Sequence, residues 1–225
     1  MEPRARASMQ GMQQADGAAR PPKAQGQQHV FKVVLLGSSS VGKTSLALRY
    51  VKNDFKSVLP TVGCAFFTKV VDVSTVPVKL EIWDTAGQEK YHSVCHLYFR
   101  GAHAALLVYD IACRDSFHQA QRWLEDLEKE FRPGEVVVAL VGNKTDLSLQ
   151  REVAAQEGQA LADNKGLLFS ESSAKLNQQV AEIFNAVARE LLQRASDREV
   201  QTHQGQQAGV VLNERSGRQA GCCAH

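Results

Sequence analysis

The sequence predicts an α/β fold: a six-stranded, mostly parallel sheet with one antiparallel edge strand and about five helices on its two faces. Two observations lead to this prediction. Short apolar segments alternate with segments of helical periodicity along the middle of the chain. Most of these segments are continuously apolar, as expected for parallel strands that are covered on both faces. Ligands of such sheets bind beyond the carboxyl ends of the strands, so a functional site is expected there.

The six predicted strands are short, as strands of globular proteins usually are. The second and third strands meet at Val73–Val76 and are predicted to form an antiparallel hairpin, which supplies the antiparallel edge strand. In chain order, the predicted strands are Phe31–Leu36, Phe66–Val73, Lys79–Trp83, Ala104–Tyr109, Val136–Val141 and Leu167–Phe169.

Five helices are predicted from the spacing of apolar residues. The clearest is the last, in which apolar side chains recur on one face. These side chains are Val180, Ile183, Phe184, Val187, Leu191 and Leu192. The five helices are expected to begin near Lys43, Tyr91, Asp115, Gln150 and Gln178.

Composition divides the chain into three parts. Residues 1–28 are poor in large apolar side chains and are predicted to be a disordered extension, because they cannot offset the entropy of ordering. Residues 29–194 are predicted to be one globular domain and residues 195–225 a flexible tail. The net charge of +2 indicates no nucleic-acid partner, and the five cysteines indicate free thiols in a reducing compartment. No apolar run approaches the ~18–20 residues that cross a bilayer.

A phosphate-binding pattern follows the first strand. Gly37-Ser-Ser-Ser-Val-Gly42-Lys43-Thr44 matches Gly-x4-Gly-Lys-Ser/Thr in full. The two glycines allow a tight turn, and successive N–H groups can then surround a phosphate at a helix N-terminus. Lys43 adds a positive charge for the β- and γ-phosphates. The nucleotide-binding residues predicted in this segment are Ser40, Val41, Gly42, Lys43, Thr44 and Ser45.

Three residues are predicted to hold Mg²⁺ beside these phosphates. The hydroxyl of Thr44 directly follows the lysine, and Asp84 directly follows the third strand. Thr61 lies 18 residues after Lys43, in a loop between a proline and a glycine. Its hydroxyl is assigned to Mg²⁺ and its N–H to the γ-phosphate. Alone, Asp84 would be a helix cap and Thr61 an ordinary loop threonine; the phosphate-binding pattern is what makes them candidate metal ligands.

The residues that follow Asp84 predict hydrolysis. In the segment Asp84-Thr-Ala-Gly87-Gln88-Glu, the N–H of Gly87 can meet the γ-phosphate, and Gln88 can orient an attacking water. Lys43 and Gln88 are therefore the predicted catalytic residues.

Two further segments predict a guanine-binding site. Asn143-Lys-Thr-Asp146 follows the fifth strand, and Ser173-Ala-Lys175 follows the sixth. Guanine presents two donors, N1–H and the 2-amino group, and the carboxylate of Asp146 can accept both. Adenine offers neither donor, so a site built on these bonds rejects it by about 10⁴-fold or more. The nucleotide-binding residues predicted here are Asn143, Lys144, Asp146, Ser173, Ala174 and Lys175.

With these motifs in this order, the chain resembles a Ras-superfamily GTPase over about residues 30–194. Several stretches resemble the Rab branch in particular: 61–66, 79–84, 90–95, 98–102 and 107–111. The resemblance implies a P-loop small G domain that alternates between GTP and GDP with Mg²⁺ and hydrolyses GTP slowly. It also implies that Phe66, Trp83 and Tyr98 form an aromatic surface that effectors contact, although packing in the hairpin is an alternative for these rings.

The chain departs from the family pattern in three places. Ser39 stands where many relatives have glycine, and its side chain is expected to slow hydrolysis. Phe55 matches the aromatic residue that covers the guanine edge, but the loop from Phe55 to Thr61 is one residue shorter than in most relatives. Ser172 replaces a threonine that usually precedes Ser-Ala-Lys.

The resemblance implies regulators and a membrane address. The expected partners are a guanine nucleotide exchange factor, a GTPase-activating protein, a Rab escort protein, a GDP dissociation inhibitor and effectors of the GTP state. Cys222 and Cys223 resemble a Rab double-cysteine signal for two geranylgeranyl groups. The tail has no polybasic patch, so a second lipid is the expected second anchor. The expected location is the cytoplasmic face of intracellular membranes, recycling endosomes above all, with a soluble cytosolic pool.

Two other functions compete with this interpretation. A P-loop metabolic kinase shares the phosphate site, but it would need an arginine-rich lid and would have no use for Asp146. A nucleotide-bound scaffold with very slow turnover is suggested by Ser39. GTP against ATP affinity distinguishes the first, and hydrolysis with an activating protein distinguishes the second.

Overall fold

The computed structural model describes residues 28–56, 59–87 and 97–207. Its strands are β1 (His29–Leu36), β2 (Cys64–Val73), β3 (Val76–Thr85), β4 (Ala104–Asp110), β5 (Val137–Asn143) and β6 (Leu168–Glu171). Its α-helices are α1 (Lys43–Lys52), α2 (Arg114–Glu130), α3 (Ala155–Lys165) and α4 (Val180–Gln207).

The six strands form one sheet in the order β2-β3-β1-β4-β5-β6. Strands β3, β1, β4, β5 and β6 are parallel, and β2 pairs antiparallel with β3 at the edge. The hairpin turns at Ser74 and Thr75, whose φ angles are 48° and 76°. Two consecutive positive φ angles match the twist of a two-residue hairpin. The predicted fold class and hairpin are confirmed.

Strand β1 is buried on both faces because it lies at the centre of the sheet. Val33 and Leu35 pack into one hydrophobic core, together with Phe184 of α4. Val34 and Leu36 pack into the second core, on the opposite face. The alternation follows from the two-residue period of a strand, and it explains the continuously apolar sequence. The end of β1 is therefore held rigidly where the phosphate-binding segment begins.

Helix α3 begins later than the sequence predicts. The periodicity predicts a helix from near Gln150, whereas Thr145–Gln150 is a short 3₁₀-helix and α3 starts at Ala155. The carboxylate of Glu157 accepts a hydrogen bond from the N–H of Ala154 at 3.0 Å, which satisfies a free donor at the helix start. This contact places the first turn of α3 after the start that was predicted near Gln150.

The other described helices begin close to their predicted starts, and one predicted start lies outside the described residues. The start expected near Tyr91 lies outside the described residues, and 97–99 are helical.

Helix α4 continues to Gln207, past the predicted domain end at residue 194. Hydrogen bonds between side chains four residues apart, such as Gln193 to Asp197 at 2.9 Å, support this extension. The three-part division of the chain stays a prediction. Within the described residues, none of the helices combines the length and apolarity that spanning a bilayer requires.

Truncating Phe184 tests the core between the sheet and α4. Its ring is fully buried and stacks on Tyr50 of α1 with 4.1 Å between ring centroids. We expect Phe184→Ala to lower the free energy of unfolding by about 3–5 kcal/mol, because transfer and cavity terms add. Urea denaturation measures the change. Leu149→Ala, at a fully exposed position, should change it by less than about 0.5 kcal/mol; equal losses in both variants would contradict this packing.

Candidate functional site

The phosphate-binding segment between β1 and α1 is a tight turn that only glycine can form at two positions. Gly37 and Gly42 have φ angles of 142° and 98°. A Cβ atom on Gly37 would lie 2.1 Å from the Val108 carbonyl oxygen, and one on Gly42 would lie 2.3 Å from Nδ2 of Asn143. The segment is therefore pressed against the ends of β4 and β5, which fixes its shape.

Lys43 lies inside this turn. Its side chain is buried, and Nζ donates hydrogen bonds to the carbonyl oxygens of Gly37 at 2.7 Å and Ser38 at 2.9 Å. A buried ammonium group is favourable only when it is hydrogen-bonded or paired with negative charge. The turn thus holds one positive charge at the start of α1.

The three residues that were predicted to hold Mg²⁺ meet at one point. The Thr44 hydroxyl donates to Oδ2 of Asp84 at 2.6 Å, and Oγ1 of Thr61 lies 2.9 Å from Oγ1 of Thr44. Thr61 Oγ1 also donates to the same carboxylate oxygen at 3.3 Å. The structure therefore brings residues from α1, the loop before β2 and the end of β3 together.

One oxygen of the Asp84 carboxylate is available for a further ligand. Asp84 is fully buried, and within the described part of the chain its Oδ1 has no hydrogen-bond partner. Burial raises the pKa of Asp84, against the hydrogen bond from Thr44 and the charge of Lys43, which lower it. Two hydroxyls and a carboxylate are hard oxygen ligands of the kind that Mg²⁺ prefers, so these residues fit the ion.

A cavity of about 240 Å³ adjoins these groups and is lined by residues of the phosphate-binding segment, by Pro60 and Thr61, and by Gly87. A Cβ atom on Gly87 would lie 2.4 Å from Nζ of Lys43 and 2.4 Å from the Ser38 carbonyl oxygen. Ser39 is exposed and lines this cavity. Its expected effect on hydrolysis stays a prediction, and Gln88 lies outside the described residues.

The two segments predicted for the base also meet, through Asn143. Nδ2 of Asn143 donates to the Val41 carbonyl oxygen at 2.8 Å, and Oδ1 accepts from the N–H of Ala174 at 3.2 Å. Asn143 is buried. One amide therefore links the phosphate-binding segment to the loop after β6.

Asp146 is oriented by the same loop. The Ser173 hydroxyl donates to Oδ1 of Asp146 at 2.6 Å, and Nζ of Lys175 lies 3.6 Å from Oδ2. Lys144 has a φ of 71°, and its Nζ lies 2.7 Å from Oδ2 of Asp110. Asp110, at the end of β4, was missed in the sequence; its position at a strand end was the available signal.

The three predicted effector-surface rings form a row across the hairpin. The Phe66 and Trp83 ring centroids lie 5.1 Å apart, and those of Trp83 and Tyr98 lie 6.4 Å apart. Phe66 is 51% exposed, so the row is open to a partner at this end. Nζ of Lys32 lies 4.8 Å from the Trp83 ring centroid. Cys222 and Cys223 lie outside the described residues.

Comparison with known proteins decides the family. The model of the Ras family matches residues 32–193 of the chain. The chain belongs to the Ras family. It is 69% identical over 214 residues to human (Homo sapiens) Ras-related protein Rab-17, an alignment that covers 95% of this chain and all of that protein. It is 67% identical over 213 residues to Ras-related protein Rab-17 of Mus musculus, with 95% and 100% covered.

This Rab GTPase therefore binds guanine nucleotides and hydrolyses GTP. The resemblance that the motifs indicated is confirmed, and the P-loop kinase alternative is excluded. The roles of the individual site residues stay predictions, as do Mg²⁺ and the regulators that the family implies.

Removing the Asn143 amide tests the link between the two halves of the site. We expect Asn143→Ala to lower the free energy of unfolding by about 1–3 kcal/mol, because the buried Val41 carbonyl and Ala174 N–H lose their partner. Urea denaturation of the GDP-loaded protein measures this change. Thr145→Ala, which removes only a 3.4 Å bond to Gln178, is the control. A loss no larger than that of the control would show that the bridge contributes nothing.

Proposed function

We propose that this Rab GTPase is a membrane-attached switch, which alternates between GTP and GDP states and recruits effectors in vesicle trafficking. The convergence of Thr44, Thr61 and Asp84 beside the buried ammonium of Lys43 carries the proposal. Those residues come from the phosphate-binding segment and from the two regions that contact a γ-phosphate in such switches.

The chain's own groups divide the binding of the triphosphate. The backbone N–H groups of residues 40–45 surround the phosphate oxygens at the N-terminus of α1, and Lys43 adds its charge. The hydroxyls of Thr44 and Thr61 and the carboxylate of Asp84 would hold Mg²⁺. When bound, the ion neutralises charge on the β- and γ-phosphate oxygens.

Hydrolysis depends on orientation and charge. Gln88 orients a water in line with the γ-phosphate, while the N–H of Gly87 holds a γ-phosphate oxygen. The new bond joins the water oxygen to the γ-phosphorus, and the bond to the β–γ bridging oxygen breaks. One proton of the water passes to a phosphate oxygen, so that GDP and inorganic phosphate are the products. Lys43 stabilises the negative charge that develops on that oxygen. Because intrinsic hydrolysis is slow, the switch needs a GTPase-activating protein to accelerate it.

The base site selects guanine. Asp146 accepts hydrogen bonds from N1–H and the 2-amino group, and Ser173 and Lys175 hold this carboxylate in place. The N–H of Ala174 faces the 6-oxo group, and the Lys144 stem covers the base. Phe55 covers its edge.

The switch follows from loss of the γ-phosphate. Thr61 and Gly87 lose their contacts with that phosphate, so the segments around these two residues relax and the rings of Phe66, Trp83 and Tyr98 change their arrangement. Effectors of the GTP state contact this row, whose aromatic residues are of the type that dominates interfaces. An exchange factor opens the site to release GDP.

Attachment to membranes uses geranylgeranyl groups on Cys222 and Cys223. A Rab escort protein presents the chain for this modification, and a GDP dissociation inhibitor maintains the cytosolic pool. Recycling endosomes are the proposed address.

A base-exchange experiment tests the proposed function. Asp146→Asn replaces one acceptor by a donor, so it should lower GTP affinity about 100-fold and favour xanthosine triphosphate, whose 2-oxo group accepts. Competition binding with GTP, ATP and xanthosine triphosphate measures the change. Asp163→Asn, at an exposed position of α3, is the matched control. Equal affinity of the parent protein for GTP and ATP would overturn the guanine site.

Single-turnover hydrolysis separates the switch from the scaffold alternative. A switch is accelerated strongly by an activating protein, whereas a scaffold that uses Ser39 to suppress turnover is not.

The double substitution Cys222→Ser with Cys223→Ser tests the lipid anchor. The variant should move from the membrane fraction to the cytosol, because it loses both apolar chains. Fractionation of cells that express it measures the distribution. Cys113→Ser, at a half-buried position of the G domain, is the control and should stay on membranes. Membrane binding of the double variant would disprove the anchor.

A further inference from the structure

Arg49 connects three segments at the base end of the site. It lies in α1, six residues after Lys43. Its Nε donates to the Ala174 carbonyl oxygen at 2.9 Å, and Nη2 donates to the Lys175 carbonyl oxygen at 3.2 Å. Its Nη1 donates to the Asn53 carbonyl oxygen at 3.1 Å. A single guanidinium group thus joins the end of α1 to the loop after β6.

The same guanidinium faces the ring of Phe55. Its central carbon lies 5.7 Å from the ring centroid, within the range of a cation–π contact. Phe55 is 43% exposed, so this contact can restrain a ring that the rest of the protein leaves partly uncovered. Arg49 therefore contacts the ring from one side.

The loop that Arg49 holds is also held from the opposite direction. The N–H of Ala174 donates to Asn143, while the carbonyl of Ala174 accepts from Arg49. The loop also carries Ser173 and Lys175, which contact the carboxylate of Asp146. A shift of this loop would move the groups around the base together.

The end of α1 is fixed in the same network. Asn53 is the C-cap of α1, with a φ of 53°, and its N–H donates to the Arg49 carbonyl oxygen. The Asn177 side chain donates to Oδ1 of Asn53 at 3.2 Å. Hydrogen bonds at two points therefore join α1 to the loop after β6. Arg49 donates two of them, to Ala174 and Lys175, and Asn53 accepts one from Asn177.

We propose that Arg49 is a positioning residue for the guanine base, because it holds the Ser173–Lys175 loop and Phe55 in one arrangement. This inference rests on the guanine site proposed above. A lysine could not replace it: one ammonium group has no planar fork of donors to serve Ala174, Lys175 and Asn53 at once.

Nucleotide dissociation from the full-length, Mg²⁺-loaded protein tests the inference. We expect Arg49→Gln to raise the GDP dissociation rate about tenfold and to lower the preference for GDP over inosine diphosphate, which lacks the 2-amino group. Arg49→Lys should behave like Arg49→Gln, because charge alone does not restore the fork. Arg189→Gln, at an exposed position of α4, is the control and should match the parent protein.

The outcomes distinguish a positioning role from a merely structural one. A merely structural role would lower the melting temperature of the Arg49 variants but leave the GDP-to-inosine diphosphate ratio unchanged, which would overturn the inference. Full rescue by Arg49→Lys would also overturn it. If Arg49→Gln does not fold, Arg49→Lys supplies both readouts. A parent protein without guanine preference would refute the proposed function itself, whereas a selective parent with unchanged Arg49 variants would refute only this inference.

Discussion

The buried amide of Asn143 joins parts of the chain that are far apart in sequence. It links Val41 in the phosphate-binding segment to Ala174 in the loop after β6, which lies 31 residues after Asn143. Both bonds lie in the interior, where an unpaired polar group is costly. These two bonds set the position of the loop after β6 relative to the phosphate-binding segment. The Arg49 contacts then hold the outer side of the same loop.

Electrostatics shape the other half of the site. Lys43 and Asp84 bring opposite charges into a buried region, and each is hydrogen-bonded within the domain. Burial works against the charged form of Asp84, which is why its pKa is raised. A cation beside that carboxylate would relieve this cost, so the unfavourable burial of the charge suits Asp84 to the metal-binding role proposed for it.

The parts of the fold that were predicted from the sequence are those with a local signal. Strand β1 is a continuous apolar run, helix α4 has a clear helical periodicity, and the glycines and lysine of Gly37–Thr44 form a pattern typical of a phosphate-binding turn. Arg49 has no such signal, because its partner Ala174 lies 125 residues away. Asp110 lies in the Rab-like stretch 107–111, but that stretch by itself does not indicate the ion pair with Lys144. The predicted start of α3 was wrong because apolar spacing alone does not distinguish a 3₁₀ segment from the first turn of an α-helix. The hydrogen bond between Glu157 and Ala154 decides that boundary, whereas caps formed by Ser, Thr, Asp or Asn are easier to recognise.

Helix α1 has one further consequence for how the two ends of the site move. It presents Lys43 at one end and Arg49 six residues later, which is a rise of about 9 Å along the helix axis. A helix is stiff over this length, so a displacement of its end at Lys43 is transmitted to its end at Arg49. Because Arg49 is hydrogen-bonded to the Ala174 carbonyl oxygen, the phosphate-binding segment and the loop after β6 are mechanically coupled through α1 as well as through Asn143.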